Sequence, residues 1–166
     1  MKNILIANPK GGSGKSTLAT NLAGYFAMRN KHVLLEELDR QQSSANWLER
    51  RPSDAPQIFS SGKKTEKLDW IITDSPAGLR DDKLSDAVKA ADCVIVPIQP
   101  SAFDIGATRD FLEVLTEEKS VRKSKTFVAL VGMRVNVRTH AAAKLAAFMQ
   151  ETDLPILAYL RNTQVY

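Results

Sequence analysis

The fold is decided by residues 4–17, which read Ile4-Leu5-Ile6-Ala7-Asn8-Pro9-Lys10-Gly11-Gly12-Ser13-Gly14-Lys15-Ser16-Thr17. The apolar run at 4–7 predicts a buried strand, and a helical pattern follows the glycines. Glycines let the backbone curl until successive N–H groups point into one cavity, and the amino end of the following helix adds the positive end of its dipole. The stretch therefore predicts a phosphate-binding loop.

Two side chains of this loop are expected to handle a phosphate and its metal ion. The Lys15 ammonium would place a point charge on the phosphates, and the Ser16 hydroxyl would ligate Mg²⁺. The strict pattern G-x-x-x-x-G-K-[ST] needs a glycine at position 9, where this chain has Pro9, and an additional lysine stands at Lys10. The predicted nucleotide contacts are Lys10, Gly11, Gly12, Ser13, Gly14, Lys15, Ser16 and Thr17.

Beyond the loop, short apolar runs alternate with helical patterns, which is typical of βαβ units in a parallel sheet. We expect an α/β fold with a doubly wound, mostly parallel sheet and helices on both faces, because 94–98 is apolar without alternation. The strands are predicted at 2–7, 32–38, 70–74, 93–99, 126–132 and 156–160. The helices are predicted at 15–29, 44–51, 81–91, 103–119 and 139–151.

Composition indicates one domain over residues 1–166, since 43% hydrophobic and 25% charged residues are ordinary for a compact domain. No apolar run reaches the roughly 18 residues that a membrane span needs. The single Cys93 can form no internal disulfide, and a cytoplasmic location is expected. The net charge is +4, and between Lys119 and Arg161 eight basic residues stand against two acidic ones. This local excess predicts a polyanionic partner.

Two acids are expected beside the phosphate loop. Asp39 and Asp74 each follow a predicted strand, and an open α/β sheet binds its ligand at the carboxyl ends of its strands. One carboxylate can position the metal and another the attacking water, because phosphoryl transfer needs mainly positioning and charge neutralisation.

The chain resembles the ParA/MinD ATPases, most closely the small ParF-like partition proteins, and also the carboxysome-positioning members. The motifs that carry this resemblance, besides the loop, are Leu38-Asp39-Arg40-Gln41-Gln42-Ser43-Ser44, Ile71-Ile72-Thr73-Asp74-Ser75-Pro76, Val96-Pro97-Ile98-Gln99-Pro100-Ser101 and Arg161-Asn162-Thr163-Gln164-Val165-Tyr166. The resemblance implies a P-loop ATPase of the deviant Walker A type that uses ATP/ADP and Mg²⁺.

The resemblance also implies roles for single residues. Lys10 would cross a dimer interface to the phosphates of the partner's ATP, Asp39 would orient the attacking water, and Asp74 would hold Mg²⁺ through a water. The expected catalytic residues are thus Lys10, Lys15 and Asp39, and the expected metal residues are Ser16, Asp39 and Asp74. Arg161 and Asn162 are the candidate adenine contacts, with Met133 and Arg134 as weaker ones.

The implied partners follow from the same resemblance. They are a second copy in an ATP-bound homodimer, non-specific DNA and a ParB-like adaptor that stimulates an otherwise slow hydrolysis, so a nucleoid-associated location is expected. The DNA contacts would come from Arg122, Lys123, Lys125, Arg138 and Lys144. No membrane partner is expected, since the residues up to Tyr166 contain no amphipathic helix like that of MinD. Residues 1–166 also stop before the final helix that ParF-like proteins normally carry, so a truncated form or an unusually short member of the family is expected.

One departure from the family pattern leaves alternatives open. Glu36 and Glu37 stand where the family usually has an apolar residue and an aspartate. A carboxylate in a strand that is covered on both faces is costly to bury unless a basic residue pairs with it. A hydrolysis-deficient, nucleotide-gated binding module is therefore one alternative function. The resemblance itself leaves a second alternative, an ATP-dependent biosynthetic enzyme of the same superfamily.

Overall fold

The structure is a computed structural model that describes residues 1–38, 43–61 and 67–163. Seven strands form one sheet: β1 Lys2–Ile6, β2 Val33–Glu37, β3 Phe59–Ser60, β4 Trp70–Asp74, β5 Cys93–Ile98, β6 Phe127–Val135 and β7 Ile156–Arg161. The helices are α1 Lys15–Ala27, α2 Ser43–Glu49, α3 Asp81–Ala90, α4 Ala102–Glu117, α5 Lys119–Arg122 and α6 His140–Glu151.

The strand order is β3-β2-β4-β1-β5-β6-β7, and every described pairing is parallel. This confirms the predicted α/β fold. Strand β1 lies between β4 and β5, so the chain leaves β1 toward one side of the sheet and later continues on the other. Such a reversal opens a crevice at the carboxyl ends of the central strands. The phosphate loop begins at that point, directly after β1.

Each face of the sheet carries its own apolar core. Alternate residues of β1 point to opposite faces, so Leu5 joins one cluster and Ile6 the other. Helices α3, α4 and α6 cover the first face, and α1 covers the second with partly buried residues of α2. Trp70 packs in this second cluster, where its ring stacks on Phe26 at 4.2 Å between centroids. The sheet is therefore doubly wound, as its apolar strands predict.

Three elements differ from the expectations. The two-residue strand β3 and the one-turn helix α5 were not predicted, because elements this short carry no periodicity. Strand β6 runs to Val135 instead of ending at 132, since its register against β7 shifts between Gly132 and Val135. A bulge of this kind lets the strand continue past a residue that breaks the pairing. Arg134 takes a φ of 52° there.

Candidate nucleotide-binding site

The predicted phosphate loop surrounds a cavity of about 300 Å³ at the carboxyl end of β1. Gly12 and Gly14 have φ values of 76° and 97°, a left-handed backbone that side chains rarely tolerate. Gly14 also caps the amino end of α1, so the N–H groups of the first helical turn are directed to the cavity. The residues that line this cavity are Gly11, Gly12, Ser13, Gly14, Lys15, Ser16, Thr17, Ser43, Ser75 and Ala77.

The polar atoms of the cavity suit a bound phosphate. Lys15 is only 7% exposed, and its Nζ donates to the Lys10 carbonyl at 2.8 Å. An ammonium has three donors, so this bond does not prevent contact with a phosphate oxygen. The hydroxyls of Ser13 and Ser75 are buried and have no hydrogen-bond partner among the described residues. Buried polar groups are normally paired, and phosphate oxygens would satisfy these two.

The predicted metal residues are partly brought together. Ser16 lines the phosphate cavity, and Asp74 ends β4 beside β1 with 1% of its surface exposed. The Asp74 Oδ2 accepts a hydrogen bond of 2.5 Å from the hydroxyl of Ser44. Asp39 lies outside the described residues. A P-loop site holds Mg²⁺ with one hydroxyl, one carboxylate and the phosphates, and Ser16 and Asp74 are the described residues that could supply the two protein groups.

The two glutamates of β2 have structural partners. The Glu37 Oε2 accepts from the backbone N–H groups of Ser44 at 2.6 Å and Ala45 at 3.1 Å, so its charge stabilises the amino end of α2. Glu36 is half-buried and accepts a 3.1 Å hydrogen bond from the Thr73 hydroxyl. No ion pair between Glu36 and a basic residue is found in the described part of the chain. A hydroxyl and partial exposure reduce the cost of its charge instead.

A second cavity of about 450 Å³ adjoins the phosphate cavity and shares Gly12, Gly14 and Thr17 with it. Its other lining residues are Gln99, Met133, Arg134 and Thr163. The weaker candidates Met133 and Arg134 thus face the expected nucleoside position. Arg161 and Asn162 are exposed and do not line this cavity. Gln99 and Thr163 were not singled out, although both stand in the quoted motifs.

The residues of β6 that line this second cavity, Met133 and Arg134, lie in its bulge. The Met133 side chain packs on the phosphate loop so closely that a Cβ on Gly14 would lie 2.7 Å from its Cε. Gly132 allows a similar approach of Tyr159, since a Cβ there would lie 2.6 Å from the Cδ1 of that ring. Arg134 is exposed and keeps its left-handed backbone at the cavity wall. Uncommon backbone conformations of this kind cluster at functional sites.

The five predicted DNA contacts fall into two groups. Arg122, Lys123 and Lys125 precede β6, whereas Arg138 and Lys144 follow it. All five are exposed, and Arg122 also lies 3.7 Å from the Glu117 carboxylate. The nine residues of β6 span about 30 Å at roughly 3.3 Å each. The two groups therefore lie at opposite ends of the sheet and do not form one patch.

A parallel doubly wound sheet with a glycine-rich phosphate cavity after β1 defines a P-loop nucleotide-binding protein. The sequence profile of the CobQ/CobB/MinD/ParA nucleotide binding domain matches residues 4–165, and the chain belongs to this family. In the described residues, no helix is both long and apolar enough to cross a membrane.

Known relatives agree with this assignment. The maintenance of carboxysome distribution protein A of Gloeobacter kilaueensis is 27% identical over 169 residues, which cover 95% of this chain and 76% of that protein. A plasmid partition protein of Borrelia burgdorferi superposes with a TM-score of 0.79 at 20% identity, covering 99% of this chain and 91% of the other. Cobyrinic acid a,c-diamide synthase of Mycobacterium smegmatis, solved with an ATP analogue and magnesium, gives 0.79 at 19% identity, covering 99% and 88%.

Proposed function

We propose that this protein is a ParA-type ATPase whose ATP-bound form dimerises, binds DNA without reading its sequence and positions a cargo. The cargo is a plasmid, a chromosome or a protein compartment. The observation that carries the proposal is the pair of lysines in the phosphate loop. Lys15 is buried against its own loop, whereas the Lys10 ammonium has no hydrogen bond or ion pair within the described residues.

The two lysines would divide the work of binding the phosphates. Lys15 would neutralise the phosphates of its own nucleotide, with Mg²⁺ held by Ser16 and Asp74 supplying further positive charge. Lys10 would reach the γ-phosphate of the partner's nucleotide. A group that binds only the triphosphate of another chain makes dimer stability depend on the nucleotide, by mass action. This dependence is the switch that a positioning ATPase needs.

Dimerisation is tested by sedimentation of the wild type and a Lys10→Ala variant with Mg²⁺ and either ATP or ADP. We expect an ATP-dependent dimer for the wild type and a monomer for the variant, which should still bind nucleotide through Lys15. Lys31→Ala is the matched control, because Lys31 is an exposed lysine before β2, at the other end of the sheet. A wild-type chain that stays monomeric in ATP would refute the switch.

DNA binding is tested separately at the two ends of the sheet. We favour the carboxyl end, because Val135 pairs with Arg161, so Arg134 and Arg161 lie on neighbouring strands there, and Arg138 follows three residues after Val135. Replacing Arg138 and Lys144 by alanine should flatten the plot of log affinity against log salt by about two units. Alanine at Arg122, Lys123 and Lys125 should leave the slope unchanged. The opposite result would move the DNA contact to the amino end.

An adaptor that stimulates hydrolysis completes the proposed cycle. Glu36 and Glu37 both have structural hydrogen-bond partners, and neither blocks the phosphate cavity. We therefore favour an active ATPase over a hydrolysis-deficient module. Phosphate release by this protein, measured with and without a ParB-like protein, tests whether hydrolysis is active and stimulated. Release that stays at the level of protein-free buffer in both cases would favour the inactive module.

A further inference from the structure

Asn8 follows β1 and forms a fully paired buried amide. Asn8 is only 3% exposed. Its Nδ2 donates to the Pro97 carbonyl at 2.9 Å and to the Thr108 hydroxyl at 3.0 Å. Its Oδ1 accepts from the backbone N–H of Lys10 at 2.8 Å. Both donor hydrogens and the acceptor oxygen of the amide are thus engaged.

These bonds join three segments that are far apart in the sequence. Pro97 lies in β5, and Thr108 lies in α4 with no exposed surface. The amide therefore anchors the start of the phosphate loop to the neighbouring strand and to the helix above it. A buried network with every member paired holds one geometry, because any rotation leaves a polar group without a partner. The acceptor oxygen of Asn8 is fixed in this way.

Lys10 is held on both sides of its α-carbon. Its N–H is bound by Asn8, and its carbonyl accepts from the Lys15 ammonium at 2.8 Å. A side-chain oxygen that binds the N–H two residues further on forms an Asx turn, which sets the local backbone direction. The Lys10 side chain makes no ion pair or hydrogen bond within the described residues. The backbone thus fixes where this side chain starts, while no residue of the described ranges holds its ammonium group.

We propose that Asn8 and Thr108 are positioning residues for Lys10, which direct its side chain toward a second copy of the chain. This assignment rests on the proposed role of Lys10 in the dimer. Loss of the Thr108 hydroxyl leaves one hydrogen of the Asn8 amide without a partner, so the amide rotates and its oxygen moves away from the Lys10 N–H. Lys10 then samples other directions, and the ATP-bound dimer weakens. Nucleotide binding by the single chain depends on Lys15 and the loop N–H groups and is retained.

Thr108→Val tests the assignment, because valine has the same shape and lacks the hydroxyl. We expect the protein concentration for half-maximal ATP-dependent dimerisation to rise about fivefold, the effect of one lost hydrogen bond. The affinity of a fluorescent ATP analogue for the single chain, measured below the dimerising concentration, should change less than about twofold, since this site keeps its charged contacts. Thr108→Ser restores the hydroxyl and should restore dimerisation.

Thr126→Val is the matched control for a general loss of stability. Thr126 is 3% exposed, and its hydroxyl donates at 3.1 Å to the carbonyls of Val88 and Ala91, before β6 and away from the loop. The melting temperature of the Thr126→Val variant should fall as much as that of Thr108→Val, whereas its ATP-dependent dimerisation should be normal. Equal dimerisation of Thr108→Val and the wild type would overturn the assignment, as would equal weakening by Thr126→Val. A wild type that is monomeric in ATP would instead overturn the proposed function.

Discussion

The two ends of the sheet use the same chemical group for different purposes. At the amino ends of the strands, Asp69 and Asp92 each accept a backbone N–H, from His32 at 2.9 Å and from Asn3 at 2.7 Å. These hydrogen bonds are the main reason why the pKa of both carboxyls lies below the ordinary value of 3.8. Asp69 thereby joins the residue before β4 to the residue before β2, and Asp92 joins the residue before β5 to the second residue of β1.

At the carboxyl ends, the acids meet helix starts and hydroxyls around an open cavity. Glu37 binds the first N–H groups of α2, and Asp74 binds the Ser44 hydroxyl of the same helix. Helices begin at this end of a parallel sheet, so their positive dipole ends and unpaired N–H groups gather there. Carboxylates at the amino ends therefore connect neighbouring strands, whereas those at the carboxyl ends bind the start of α2 beside the phosphate cavity.

Among substitutions that compare the two ends of the sheet, we expect the largest effect from Lys15, the buried lysine at the carboxyl end of β1. Lys15→Ala should weaken ATP binding about 100-fold, because a charged hydrogen bond to a phosphate contributes up to about 3 kcal/mol. Titration with a fluorescent ATP analogue measures the affinity, and Lys31→Ala at the opposite end should bind normally. Wild-type affinity in Lys15→Ala would remove the phosphate site from this loop.

Replacing one carboxylate at each end of the sheet tests whether only the carboxylate at the carboxyl ends of the strands contributes to Mg²⁺ binding. Asp74→Asn keeps an acceptor for the Ser44 hydroxyl but removes the charge, so the Mg²⁺ concentration for half-maximal hydrolysis should rise about tenfold or more. Asp92→Asn is the matched control and should leave this concentration unchanged. If both variants or neither required more Mg²⁺, the two ends would not differ in the way described.

A substitution at Glu37 tests whether this carboxylate stabilises the start of α2 or takes part in binding Mg²⁺. Glu37→Gln retains an oxygen toward the N–H groups of Ser44 and Ala45 but removes the charge that favours the helix start. We expect the free energy of unfolding to fall by about 0.5–1 kcal/mol, as measured by urea denaturation. The Mg²⁺ requirement of hydrolysis should stay normal. A raised Mg²⁺ requirement without loss of stability would assign Glu37 to the metal instead.

The smallest effect is expected from Asp92 and depends on pH. The pKa of Asp92 is lower in the folded protein than in the unfolded chain. Its charge therefore stabilises the fold at any pH above the unfolded pKa. This contribution disappears as the pH falls through the folded pKa. Asp92→Asn should therefore lower the free energy of unfolding by less than about 1 kcal/mol at pH 7, because the group is exposed. The variant and the wild type should converge as the pH falls below the folded pKa of Asp92. A difference that persists in acid would mean that the charge is not its cause.

The sequence by itself determined the parallel α/β fold and the phosphate cavity. Phosphate recognition is predictable because it uses the backbone N–H groups of one continuous loop, and its glycines and Lys15 are visible in the chain. The apolar strands also predict coverage on both faces. These features depend on local conformation and on the periodicity of neighbouring residues.

Only the tertiary structure decided how distant segments complete the site. The second cavity combines Gln99, Met133, Arg134 and Thr163, and the prediction had emphasised Arg161 and Asn162. The bulge in β6 shifts its register against β7, and such a shift has no periodic signal in the sequence. The bond between Asn8 and Thr108 spans 100 residues. Contacts of this kind depend on which side chains the completed sheet brings together, and the spacing of residues along the chain does not specify them.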